Sequence, residues 1–115
     1  MAPILRAVGR KRAMLIILSG EPVSAREAYE MGLVSRLVPP GDLESAVSAL
    51  ATTLAGYSPT ALGLAKEAAS MVPDMEYGAA LRYLREMITL VALSDDAREG
   101  IAAFFEKRAP RWTGR

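Results

Sequence analysis

A single stretch of this chain, Leu33-Val34-Ser35-Arg36-Leu37-Val38, has the composition and bounded length of a β-strand, and Pro39-Pro40-Gly41 stops it. Everything else reads as helix. A lone strand cannot make a sheet, because its backbone donors and acceptors need a neighbouring strand. The pattern therefore predicts a mostly α chain whose strand at 33–38 pairs with a second chain or with a sheet lying outside this sequence.

Breakers divide the remainder into helix-sized pieces. The first helix is predicted over 3–18, apolar on most faces in its second half, with Ser19-Gly20-Glu21-Pro22 ending it. Ser24-Ala25-Arg26-Glu27 has the form of a capping box, in which the hydroxyl takes the Glu27 amide and the carboxylate reaches back to the Ser24 amide. That helix runs to Met31, where Gly32 supplies a left-handed cap. Asp42 is the predicted cap of a helix over 42–55. Ser58-Pro59 opens another, with serine as cap and proline at the first helical position, and Pro73 ends it near Met71. Asp74 is the predicted cap of the longest helix, to Leu93. Its Leu81, Leu84, Ile88 and Val91 form one stripe, widened by Met75, Tyr77, Ala80 and Met87, and a stripe that wide calls for two packing partners. Ser94 or Asp96 caps the last helix, to about Lys107, with Asp96 and Glu99 at the spacing of a second capping box.

Composition narrows the chemistry. The chain has 115 residues, 51% of them hydrophobic, and neither cysteine nor histidine. One domain at most is expected, and so apolar a small chain implies surface meant for a partner. Disulfides, thiol nucleophiles, histidine-based triads and zinc sites with nitrogen or sulfur ligands are excluded. No loop has calcium-loop spacing, so no metal site is expected. The formal net charge of +1 gives no basic field for nucleic acid or an anionic membrane. Residues 25–37 have a helix-turn-helix flavour, but Pro39-Pro40 removes the recognition helix such a reading needs. The longest apolar run, 13–18, is too short to span a bilayer, and no cleavage site follows it, so a cytoplasmic location is expected. The carboxylate pairs Glu27/Glu30 and Asp96/Glu99 sit one turn apart. Glu27 and Glu99 are better explained as capping glutamates than as catalysts.

Five pieces in order carry a family resemblance. These are Leu5-Arg6-Ala7-Val8-Gly9; Leu18-Ser19-Gly20 through Ala28; Gly32-Leu33-Val34 with Val38-Pro39; Ser58-Pro59 with Lys66; and Arg98-Glu99-Gly100, Ala103-Phe104 and Glu106-Lys107-Arg108 with Pro110. Together the chain resembles the C-terminal part of the enoyl-CoA hydratase/isomerase (crotonase) superfamily. The resemblance implies that residues 1–41 are the tail end of a crotonase core and 42–115 the helical oligomerisation region, with the sheet-rich N-terminal core absent. It also implies an acyl-CoA substrate in the complete enzyme and no prosthetic group. Partners would be further copies in a trimer-type assembly or a missing N-terminal half, with acyl-CoA held weakly by this chain alone. The family's chemistry uses two backbone amides as an oxyanion hole and, in hydratases, two glutamates. By resemblance these lie upstream of Met1, so no catalytic residue maps here and the chain alone is expected to be inactive.

What the resemblance does place here is one wall of the CoA site. The family's terminal helix offers an aromatic to the adenine and a lysine to the ribose 3′-phosphate, and these positions match Phe104 and Lys107. Three residues apart, the two would share a helix face. Phe105 is expected in the core with Ala97 and Ile101. Lys107, Arg108 and Arg111 have a simpler reading as cations complementing the dipole of a last helical turn, and Arg10-Lys11-Arg12 as a solvated face. The alternative function is a helical interaction module without ligand binding.

Overall fold

The computed structural model describes residues 2–115, and every regular element among them is helical. The chain divides into two units, residues 2–47 and Ser48–Arg115, with the boundary inside the fourth helix.

In the first unit, α1 (Ala2–Val8) and α2 (Arg10–Ser19) replace the single helix expected over 3–18. Gly9 separates them at φ 76°, a left-handed backbone that a helix cannot contain and that glycine adopts without steric cost. α3 (Ala25–Glu30) begins with the capping box as read from the sequence. The Glu27 amide donates to Ser24 Oγ at 3.2 Å and the Ser24 amide donates to Glu27 Oε2 at 2.9 Å. The Ser24 hydroxyl, which donates to Glu27 Oε2 at 2.5 Å, and then the Ser24 amide hold the Glu27 carboxyl below its usual range.

The strand expected over 33–38 does not form among the described residues. The amides of Leu33 and Val34 both donate to the Ala28 carbonyl, at 2.8 and 3.3 Å, which folds the chain back over the end of α3. A strand at this segment needs a sheet neighbour, and its first two amides are taken by the preceding helix instead.

The second unit is built from α5 (Pro59–Met71), α6 (Tyr77–Leu93) and α7 (Asp95–Glu106), preceded by α4 (Leu43–Ala55). α5 packs on α6 and α6 on α7. Ser58 caps α5, its hydroxyl accepting from the Ala61 amide at 3.0 Å. The cap of α6 is Glu76, not Asp74, because residues Val72–Asp74 form a short 3₁₀ turn that delays the helix. Ser94 caps α7, which leaves the proposed Asp96/Glu99 box unformed.

The buried apolar side chains among the described residues are Val8, Ala13, Ala28, Ala68, Ala80 and Ala103. Alanines let helix backbones approach closely, but they bury little area. The larger residues stand outside: of the α6 stripe, Leu84 and Val91 are half-buried, while Leu81 and Ile88 are exposed. The stripe is covered on one side by α5 and open on the other. This is an unusual distribution for apolar side chains, whose burial is the main driving force of folding.

Candidate functional site

The most organised part of the second unit is α7 with the nine residues that follow it. Asp95 and Asp96 occupy the first turn of α7, where the helix dipole favours negative charge. α7 stops at Lys107, which takes a left-handed conformation, φ 54° and ψ 39°. Pro110 bars a return to helix. The tail then runs back along α7 toward its start, and two carboxylates one turn apart on that helix fasten it.

Glu99 holds the near end. Arg108 Nη1 donates to Glu99 Oε1 at 2.5 Å and Nη2 to Oε2 at 3.0 Å, the two-point grip that suits a guanidinium to a carboxylate. The Arg111 amide adds a bond to Glu99 Oε1 at 2.6 Å, and Arg108 Nε donates to Glu106 Oε2 at 2.6 Å. The Arg108 hydrogen bonds, then that amide, hold the Glu99 carboxyl down at about 2 against partial burial.

Asp96 holds the far end. Its side chain is buried, at 1% exposure. Oδ1 accepts from the amides of Thr113 at 2.7 Å and Gly114 at 3.0 Å and from the Thr113 hydroxyl at 3.2 Å, while Oδ2 accepts from Ser58 at 2.7 Å. The Asp96 amide completes the closure by donating to the Arg115 carbonyl at 3.0 Å. Burial pushes the Asp96 carboxyl up, but the bonds from Ser58, Thr113 and Gly114 together overcome it and leave the group well below the ordinary range. Between the two anchors, the Trp112 indole donates to the Gly56 carbonyl at 2.8 Å. A Cβ at Gly100 would lie 3.3 Å from the indole ring, so glycine leaves the room in which the ring sits.

Both phenylalanines point outward. Phe104 is 78% and Phe105 77% exposed, edge to face with ring centroids 5.7 Å apart. Phe105 is therefore not a core residue. With Gly100 and Trp112 the two rings border an open hollow of about 360 Å³, lined by apolar residues except for Ser58 and Asp96. Lys107 is also exposed, but it lies past the last helical residue, so the shared helix face expected for Phe104 and Lys107 does not exist. What links the two residues is the turn itself, in which the Lys107 amide donates to the Phe104 carbonyl at 3.3 Å. Arg108 and Arg111 also lie beyond the helix, and Arg108 is engaged by two carboxylates rather than by the dipole alone.

The arrangement offers stacking surface and a cation; no acid–base pair is assembled in it. Among the described residues no group of three or more carboxylates is placed to hold a metal ion. No helix there is long and apolar enough to cross a membrane. The roles of Asp96 and Glu99 as anchors were not read from the sequence. The only local hint was that a carboxylate pair at one-turn spacing precedes a polar, glycine-bearing tail.

The acid dependence of this clasp follows from the Glu99 shift. A carboxyl held below its ordinary value of 4.5 contributes stability above that value and loses it as pH falls toward about 2. Emission from Trp112, the single tryptophan, is expected to report release of the tail as pH falls from 5 toward 2. In Glu99→Gln the same change should be weaker, because one of the two titrating anchors is gone. An unchanged acid profile in that variant would count against the assignment.

Comparison with known proteins places the chain. The model of the enoyl-CoA hydratase/isomerase family matches residues 2–115. The Mycobacterium tuberculosis protein described as "Probable enoyl-CoA hydratase echA8" is 41% identical over 112 residues, which are 97% of this chain and 44% of that protein. The 2,3-dehydroadipyl-CoA hydratase of Escherichia coli K12 is 40% identical over 113 residues, 97% of this chain and 44% of that one. The crystal structure of an enoyl-CoA hydratase from Bacillus anthracis superposes with a TM-score of 0.87 at 36% identity, covering 97% of this chain and 43% of that chain. The chain thus spans less than half the length of the curated relatives it matches.

Proposed function

From the premise that this chain belongs to the enoyl-CoA hydratase/isomerase family, we propose that it serves as the CoA-holding and subunit-association segment of an enzyme that hydrates or isomerises enoyl-CoA. Phe104 stacks on the adenine and Lys107 meets the ribose 3′-phosphate. Residues 42–115 carry the association surface, and the reacting thioester end of the substrate is held by parts of the protein that this sequence does not include. The observation that carries the reading is that an outward phenyl ring, 78% exposed, and an exposed lysine belong to one turn, in which the left-handed Lys107 donates its amide to the Phe104 carbonyl. An exposed ring of that size is unfavourable in water unless something covers it, and a purine is a flat, apolar cover.

Magnitudes set the affinity. A stacked base contributes roughly 1–3 kcal/mol, and a charge-assisted hydrogen bond about 1.5–3 kcal/mol. Their sum is at most about 6 kcal/mol before association entropy is charged, while micromolar binding needs about 8.2 net. A nuclear magnetic resonance titration of the chain with CoA should therefore give a millimolar dissociation constant with shifts at Phe104. Removing the 3′-phosphate should weaken binding to the wild type and make no difference to Lys107→Ala. A dissociation constant below about ten micromolar would overturn the affinity argument. Shifts that bypass Phe104 and Lys107 would overturn the site and favour the interaction module without ligand binding. The exposed Leu81 and Ile88 on α6 support the association role in either case.

A further inference from the structure

Lys107 occupies a position that backbone energetics reserve for glycine. A helix that ends in a left-handed residue normally places glycine there, because a Cβ crowds the following carbonyl. Lys107 is the single non-glycine residue with positive φ among the described residues. Such a conformation persists only where its surroundings hold it. Here the Arg108 amide donates to the Ala103 carbonyl at 3.1 Å, and the residues on both sides of Lys107 are tied together by Arg108 Nε on Glu106. Glu99 then fixes Arg108 at both Nη atoms and fixes the Arg111 backbone as well. The Glu99 side chain is 20% exposed and that of Arg108 35%, so the pair is partly shielded from water. Glu99 and Glu106 are both engaged by Arg108, and Lys107 itself is exposed.

We propose that Glu99 is a positioning residue, which through Arg108 and the Arg111 amide sets the left-handed turn at Lys107 and so aims its ammonium beside the Phe104 ring. The proposal rests on the reading that Lys107 meets the 3′-phosphate of CoA and adds the device that keeps the lysine in place. Glu99 touches no ligand itself. Its contribution is to remove the freedom of a long flexible cation before binding, so that less order has to be created when the phosphate arrives.

The test separates the turn from the ligand. The probe is adenosine 3′,5′-bisphosphate, titrated into the whole chain, with two readouts: the Lys107 ¹³Cα and ¹³Cβ shifts, which report left-handed geometry, and the dissociation constant. In Glu99→Gln the Lys107 shifts should move toward averaged values and affinity should fall by roughly fivefold or more. Arg108→Lys keeps the charge but loses the fork, and it should do the same. Glu99→Asp, which keeps the charge on a shorter arm, should restore part of both. A general loss of structure would disperse the loss over all α7 resonances, and Arg108→Lys then decides the matter, because that change leaves Glu99 in place. If Lys107 keeps its left-handed shifts in both Glu99→Gln and Arg108→Lys, Glu99 does not set the turn. Loss of affinity with the turn intact also overturns the proposal. If the wild-type chain binds no bisphosphate at all, the functional reading of Lys107 fails, while the shifts still decide whether Glu99 holds the turn.

Discussion

Asp96→Ala is expected to release the C-terminal tail and to cost the second unit more stability than any exposed substitution. The carboxylate is buried and receives four hydrogen bonds, from Ser58, from the amide and hydroxyl of Thr113, and from the amide of Gly114. Alanine leaves those donors without an acceptor in a place water reaches poorly, and an unmade buried hydrogen bond is more harmful than a made one is helpful. Ser58 is also the cap of α5, so the loss touches the start of two helices at once. The thermal midpoint should drop by roughly 10 °C or more. Trp112 emission should move to the red as the indole leaves the Gly56 carbonyl. Asp95→Ala is the matched control. Its ion pair with Arg98 stands in solvent, with side chains 58% and 71% exposed, and the midpoint should stay within about 2 °C. Equal effects of the two substitutions would show that Asp96 is no anchor.

That anchor marks the limit of what the sequence made legible. Features fixed by neighbours in the chain were readable: the box at Ser24 and Glu27, the cap at Ser58 with Pro59 behind it, the left-handed Gly32. Each depends on residues three or four apart, and the residue types state the chemistry. Asp96 and Glu99 carried the same local signature as a capping box, yet their partners are Ser58, 38 positions away, and tail residues 9 to 18 positions away. Ser94 had already taken the cap, which freed both carboxylates for the tail, and nothing within one helical turn could announce that. Leu33 to Val38 failed for the converse reason. Strand-forming residues express a preference only when a neighbouring strand is present, and without one the Ala28 carbonyl captured the first two amides. Periodicity places Phe105 in a core with Ala97 and Ile101. Periodicity identifies an apolar face, and here the face with Ile101 remains open, Ile101 being 60% exposed.

The second large effect expected is that this chain alone turns over no enoyl-CoA. The family resemblance assigns the chemistry to two oxyanion-hole amides and two glutamates, and by that same resemblance no residue of this sequence is expected to be one of them. Among the residues that do map, Phe104 and Lys107 would bind the nucleotide end of the substrate equally in the ground state and the transition state, and uniform binding does not accelerate the chemical step. Loss of one oxyanion donor costs about 10²–10³ in rate, and loss of a general acid–base group about 10²–10⁴. A chain without either contribution should fall at least roughly 10⁴-fold below a complete hydratase. Following the ultraviolet absorbance of a short enoyl-CoA thioester should thus give the buffer rate, at chain concentrations well into the micromolar range. Turnover clearly above buffer, abolished by a substitution in this chain, would overturn the assignment of chemistry to segments outside it; the first residues to test would be Glu27 and Glu30. They lie with Arg12 and Glu21 around a hollow of about 250 Å³ in the first unit. Glu27 already has its carboxylate committed to the Ser24 amide and hydroxyl, at 2.9 and 2.5 Å. A base has to take up a proton as the reaction proceeds, and a carboxylate held in its ionised form by a cap is poorly suited to do so.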